Sequence, residues 1–344
     1  MVKAVRNSNH ELLRIIAMFM IVFIHANRFL FYLVNGKTAF VLNGMVNGIC
    51  NIGVTCFMLI SGYYGMKFDI RKFVRMECMM ITYSLAETAL LYTVMPEQLQ
   101  GAALLEQIVK SMLPFITRKY WFYSCYVCLL FLSEYIQKFI DALKQKEFER
   151  LLFVLFMLLS VLPTLFYFEI VPDNGKGLLH MIMIYMMGRY IRMYRDVKLP
   201  GKAGILFVFL WIINGISHEI PIKIGQISHH LCKDNSITNL MMAVILFYLF
   251  KELHIRSRFI NKAAVNVFAV FALNDVLVTV VIQRLLDSGF KSEGGVTGFM
   301  VLAGIVAAVL LLCLMIGAVR ELILGRMDRW LGEKAEHVVT SIMP

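Results

Sequence analysis

Apolar residues run along this chain in long unbroken stretches rather than at the spacing of a half-buried surface helix. A hydrocarbon core of about 30 Å needs roughly 20 apolar residues per helix. Runs of that order lie at about 12–34, 41–65, 73–95, 121–140, 151–170, 177–195, 203–220, 237–251, 264–284 and 297–320. The eighth is short, and the seventh is interrupted by Asn214 and Gly215. Backbone in lipid must satisfy its own hydrogen bonds, and no strand-like alternation suggests a barrel. The expected class is therefore an all-α integral membrane protein, a bundle of about ten transmembrane helices.

Composition agrees: 59% hydrophobic and 12% aromatic residues, with a mean hydropathy of +0.72, exclude a water-soluble domain of 344 residues. The first run has no small-x-small cleavage site and is expected to stay in place as a helix. If the N-terminus is cytoplasmic, the inside segments, which include Lys3, Arg6 and Lys198, carry more than twice the Lys and Arg of the outside segments, which include Lys291. Both termini are thus expected in the cytoplasm. The net charge of +11 and pI near 9.3 then serve contact with anionic membrane lipids and call for no nucleic-acid partner. Without a low-complexity tether or separate soluble segment, 1–344 reads as a single transmembrane domain.

The longest outside segments are 96–120 and 219–236, and the first has apolar residues at helical spacing, as expected of an interfacial stretch. Trp121 and its tyrosine neighbours read as an aromatic belt in preference to a sugar-stacking platform. Seven cysteines, most inside apolar runs, make no disulfide framework, and Cys125 and Cys128 lack the neighbours a metal site needs. No metal is expected.

Candidate chemistry comes from the polar residues that interrupt the apolar runs. In "ELLRIIAMFMIVFIHANRF" (11–29), Arg14 and His25 are eleven residues apart, about 16 Å along a helix and about 20° from a whole number of turns, so they share a face. A buried imidazole favours its neutral form, the form a general base needs, although a hydrogen-bonded structural histidine fits the position too. In "CFMLISGYYGMKFDIRKFVRM" (56–76), Ser61-Gly62 permits close helix approach, and Arg71, Lys72 and Arg75 make a fork suited to phosphates or serve as topogenic charges. Counted from their inner ends, His25, Glu87 and Asp275 share a level about 18–21 Å up their helices. This predicts a polar chamber in which Glu87 or Asp275 orients His25 as the third group of a relay, or stands as a protonated structural acid. Glu134 has no evident place.

The Arg14 to His25 spacing resembles the signature of the membrane-bound acyltransferase-3 family, bacterial proteins with a ten-helix core that acylate cell-surface carbohydrates. Further likeness lies in "FMLISGYYGMKFDIRKFVRM", "YWFYSCYVCLLFLSEYI", "YMMGRYIR" and "KDNSITNLMMAVILFYLFKELHIRSRFIN", which follow in order over nearly the whole chain. The resemblance implies a multi-pass protein of the bacterial cytoplasmic membrane, with cytoplasmic acyl-CoA, acetyl-CoA as the expected form, as donor. The implied acceptor is a hydroxyl of a glycan or lipid-linked sugar of the capsule or exopolysaccharide. Arg14 and His25 are the positions carried over. Departures are Phe271 and Asn274 where many relatives have tyrosine and histidine, and Glu134 where proline is common.

On this reading the donor phosphates meet Arg14, Arg71, Lys72 and Arg75, the thioester enters a dry interior, and His25 takes the acceptor proton. Ser61, at the donor end, or Tyr126 is the candidate oxyanion donor. The rivals are a transporter or flippase for a lipid-linked sugar, using the same mid-level residues as a path, and a catalytically silent partner in polysaccharide assembly.

Overall fold

The computed structural model describes residues 7–34, 36–195, 199–224, 227–290 and 295–342. Lys3, Arg6, Lys198 and Lys291 of the charge pattern lie outside the described residues. The chain is a helical bundle: α1 (Ser8–Asn27), α2 (Leu30–Leu33), α3 (Gly36–Cys50), α4 (Gly53–Tyr64), α5 (Ile70–Val94), α6 (Ala102–Met112), α7 (Trp121–Ala142), α8 (Gln145–Phe156), α9 (Leu162–Leu165), α10 (Leu178–Tyr194), α11 (Ala203–Glu219), α12 (Ile237–Lys251), α13 (Arg258–Ala263), α14 (Val267–Asp287) and α15 (Gly295–Ile342). The predicted runs are largely helical, although the second is divided between α3 and α4 and the fifth leaves the helix after Leu165. Among the described residues five helical stretches are long and apolar enough to cross a membrane by themselves: Ser8–Asn27, Gly36–Tyr64, Gln145–Leu165, Arg258–Asp287 and Gly295–Ile342.

Several boundaries differ from the apolar runs. The first run breaks at Arg28 and Phe29, where Arg28 pairs with Asp275 at 2.7 Å. The last helix continues well past 320, held by Arg320, whose guanidinium is buried against Asp328 and bonds Thr82 of α5 at 3.2 Å. The π-helical turn Met157–Val161 precedes Pro163, which has no N–H to give to the ladder. Segment 219–236 contains the fold's one departure from all-helix among the described residues, an antiparallel hairpin of β1 (Ile222–Ile224) and β2 (Ile227–His229). Asn214 does not interrupt α11: it is buried and gives its amide to Asn239 of α12 at 2.8 Å.

The central helix is α1, which packs against α3, α4, α12, α14 and α15. Two pairs of glycines bring helices close around it. Gly62 of α4 faces Tyr185 and Gly188 of α10, and Gly48 of α3 faces Gly215 of α11; a Cβ on Gly48 would come within 2.8 Å of the Gly215 nitrogen. The Ser61-Gly62 step therefore makes the close approach expected of it.

Candidate active site

His25 stands in the last turn of α1, one turn before the Arg28 cap, and lines a cavity of about 300 Å³ together with Glu87 of α5 and Asp275 of α14. Each of the three lies seventeen residues beyond the start of its helical stretch, at Ser8, Ile70 and Arg258 respectively. That is a rise of about 26 Å. The shared level is as expected, but it is higher than the apolar runs imply, because all three helices begin before those runs do. The cavity is lined as well by Trp121 and by Lys119, Lys176 and Asp234, the last three from segments that the charge pattern assigns to the outside.

The His25 ring is fixed by Asn274. Its Nδ1 lies 2.5 Å from Asn274 Oδ1, while Asn274 Nδ2 donates to the carbonyl oxygens of Val270 and Phe271 at 2.9 Å each. The amide cannot turn over without losing both of those bonds, so its oxygen faces the imidazole. An amide oxygen only accepts, which puts the proton on Nδ1 and leaves Nε2 as the basic nitrogen.

Neither carboxylate takes the orienting position expected from the sequence. Asp275 Oδ1 is 3.9 Å from His25 Nδ1, beyond hydrogen-bond range, and its close partner is Arg28, which also donates to Thr279 at 2.5 Å. Glu87 accepts from the Tyr120 hydroxyl and pairs with Lys119 at 3.3 Å. Lys119 in turn donates to Ser111 at 3.0 Å, and its side chain is only 8% exposed. In the outer loop before α12, burial pushes the Asp234 carboxyl up to about 7, with Lys176 pulling it back and Asp173 adding to the rise.

At the other end of α1, Arg14 bonds Glu11 at 3.1 Å. Ser61 gives its hydroxyl to the Phe57 carbonyl at 3.0 Å and also meets Tyr126, which lies in the field of Arg14. Neither Ser61 nor Tyr126 lines the His25 cavity, whereas Asn51, Lys119, Tyr120, Trp121 and Lys176 do, so the cavity's own donors lie among these five. Rings connect the two levels: Tyr126 packs on Phe122, and Phe122 on Phe271 at 5.5 Å. The basic fork is spread among carboxylates. Asp69 caps α5 and lies 3.7 Å from both Arg71 and Lys72, Glu336 is 3.4 Å from Arg71, and Glu321 is 2.8 Å from Arg75.

A family model described as an acyltransferase domain matches residues 7–318. The chain belongs to the membrane acyltransferase-3 family. No curated protein and no solved structure matches it.

Within this acyltransferase the structure joins His25, Glu87 and Asp275 in one cavity and sets Arg14 and Ser61 apart at the other end of α1. Trp121 lines the cavity, and Glu134 is an exposed residue of α7 paired with Lys138 at 3.3 Å. Cys125 and Cys128 are free thiols, and among the described residues no group of His, Cys, Asp and Glu is arranged to hold a metal ion. Sequence reasoning missed Asn274, Lys119 and Asp234 as members of the site. The signals were present: two polar residues side by side in the apolar run around Asn274-Asp275, and cations immediately before Tyr120-Trp121.

Proposed function

We propose that this acyltransferase moves an acyl group, acetyl being the expected one, from cytoplasmic acyl-CoA to a hydroxyl of a cell-surface or exopolysaccharide sugar, from a multi-pass position in the bacterial cytoplasmic membrane. His25 is the general base. The supporting observation is the Asn274 bond, which leaves Nε2 unprotonated on a ring that lines the cavity.

The acceptor hydroxyl enters from the side of Lys119, Lys176 and Asp234, and the donor from the side of Arg14. As the hydroxyl oxygen attacks the thioester carbonyl, Nε2 takes its proton. The carbon–sulfur bond then breaks, the ester forms, and the departing CoA thiolate recovers the proton. Lys119 and Asn51 are among the cavity donors that can serve the oxyanion, where a fixed donor in a water-poor site stabilises charge strongly. Base catalysis of this kind contributes about 10²–10⁴ in rate.

The test compares surface glycans from cells carrying the wild type, the His25→Ala variant or no gene, by mass spectrometry. Loss of one acyl mass per acceptor unit in both the variant and the deletion, at normal membrane abundance of the variant, is expected. Full acylation by His25→Ala would end the general-base assignment, and loss of the polymer itself would favour export of a lipid-linked sugar.

A further inference from the structure

Three helices bring cations together over an aromatic floor at the Arg14 end of the bundle, and we infer that this cradle binds the adenosine phosphates of the acyl donor through Arg14, Arg189, Arg192 and Lys251. The inference rests on acyl-CoA being the donor, and it locates the donor away from the Arg71, Lys72 and Arg75 fork.

The floor is built from the first turn of α1, the end of α4 and α12. His10 stacks on Phe247 with centroids 5.1 Å apart, packs against Tyr63 at 5.3 Å, and has its Nδ1 2.6 Å from the Tyr64 hydroxyl. Over it stands Arg192 of α10, which donates to the Tyr63 hydroxyl at 3.1 Å and lies 5.1 Å from that ring. Arg14 stands one helical turn after His10 on α1, and Lys251 lies 5.4 Å from the ring of Tyr248, which packs on Phe247, so both cations reach the same floor as Arg192. Arg189 reaches the same end, since a Cβ on Gly65, just after Tyr64, would lie 3.1 Å from its Nη1.

Two observations mark an anion site. Arg14 Nε and Arg189 Nε are buried donors that no group among the described residues satisfies, and His10 Nε2 is a third such donor when the Tyr64 hydroxyl donates to Nδ1, a costly arrangement that an incoming acceptor oxygen relieves. Phosphate oxygens accept from several such donors at once. Tyr64 is 49% exposed and offers a face on which an adenine ring can stack. At the fork Arg71, Lys72 and Arg75 face the carboxylates of Asp69, Glu321 and Glu336 and none of their nitrogens is a buried atom without a partner, whereas at the cradle Arg14, although bonded to Glu11, keeps such an atom in its Nε.

Equilibrium binding of CoA, dephospho-CoA and pantetheine to the full chain in lipid nanodiscs tests the inference without reference to transfer. Wild type is expected to bind CoA, dephospho-CoA more weakly, and pantetheine undetectably. Arg192→Gln and Lys251→Gln should each weaken CoA binding about tenfold, with Arg192→Lys recovering most of the loss, whereas Arg71→Gln and Arg75→Gln should stay within about twofold. Thermal unfolding of each variant confirms that the protein is folded. The reverse pattern, with binding lost in the fork variants and kept in the cradle variants, overturns the cradle and leaves the donor reading standing. Absence of CoA binding by wild type overturns both.

Discussion

Asn274 Oδ1 lies 2.5 Å from His25 Nδ1, and this contact selects which nitrogen of the imidazole is basic. The amide is locked by two backbone carbonyls of its own helix. If His25 is the base, Asn274 acts as its positioning group, able to accept from Nδ1–H as a neutral histidine nitrogen also can.

Removing that acceptor should release the tautomer. Asn274→Leu is expected to lower kcat for acyl transfer by about 10²-fold with little change in KM for the donor, and Asn274→His should retain more activity than the leucine variant. Asp275→Asn breaks a half-exposed pair with Arg28 and should cost less than about fivefold. Steady-state kinetics on the three variants decide the matter: a larger loss for Asp275→Asn than for Asn274→Leu would return the orienting role to the carboxylate.

Lys119 and Glu87 form a largely buried pair, with side chains 8% and 17% exposed. Removing one partner strands the other's charge, so Lys119→Met alone should destabilise by about 3–5 kcal/mol, and the Lys119→Met/Glu87→Met double variant should recover a large part of it. Denaturation of all four forms in one detergent gives the cycle. Additive losses would mean that the two groups do not interact.

The fold class was legible in this chain because lipid imposes one rule on every span, and a run such as 297–320 satisfies that rule from its own residues. The shared level of His25, Glu87 and Asp275 was legible for a related reason, since helix rise converts residue count into height. What could not be read was azimuth and partner. Whether Asp275 or its neighbour Asn274 faces His25 depends on how α14 is rotated against α1, and that rotation is set by packing. The fork of Arg71, Lys72 and Arg75 was visible, but the carboxylates opposite belong to the far end of α15, more than two hundred residues later. The hairpin in 222–229 is too short for an alternation signal to register.

Asp234 gives the cavity a charge that changes near neutral pH. Its carboxyl is raised from the ordinary value of 3.8 to about 7 by burial. The folded chain therefore holds this proton more tightly than the unfolded chain does. Its contribution to stability falls as pH rises from about 4 to about 7 and is level above that. Asp234→Asn should flatten this part of the stability profile, and it should lack the inflection near 7 that is expected in the pH dependence of acceptor KM for wild type. An unchanged profile in the variant would mean that Asp234 does not titrate in this range.

Gly62 allows no side chain. A Cβ built there falls inside the contact radius of the Tyr185 carbonyl oxygen, and across the same crossing a Cβ on Gly188 would lie 2.5 Å from the Leu59 carbonyl. Both obstacles are backbone, which cannot swing aside as a long side chain does. Gly62→Ala must therefore separate α4 from α10, and overpacking of this kind typically costs about 1–3 kcal/mol, with backbone obstacles at the upper end. The same separation moves Tyr63 and Tyr64, on α4, away from Arg192, on α10. Thermal unfolding in nanodiscs should show a clear loss of stability, and CoA binding should weaken in those Gly62→Ala molecules that remain folded, whereas Gly201→Ala, with nothing within 4 Å of the added carbon, should leave both unchanged. A stable Gly62→Ala protein with wild-type CoA affinity would show that this crossing is looser than the structure has it.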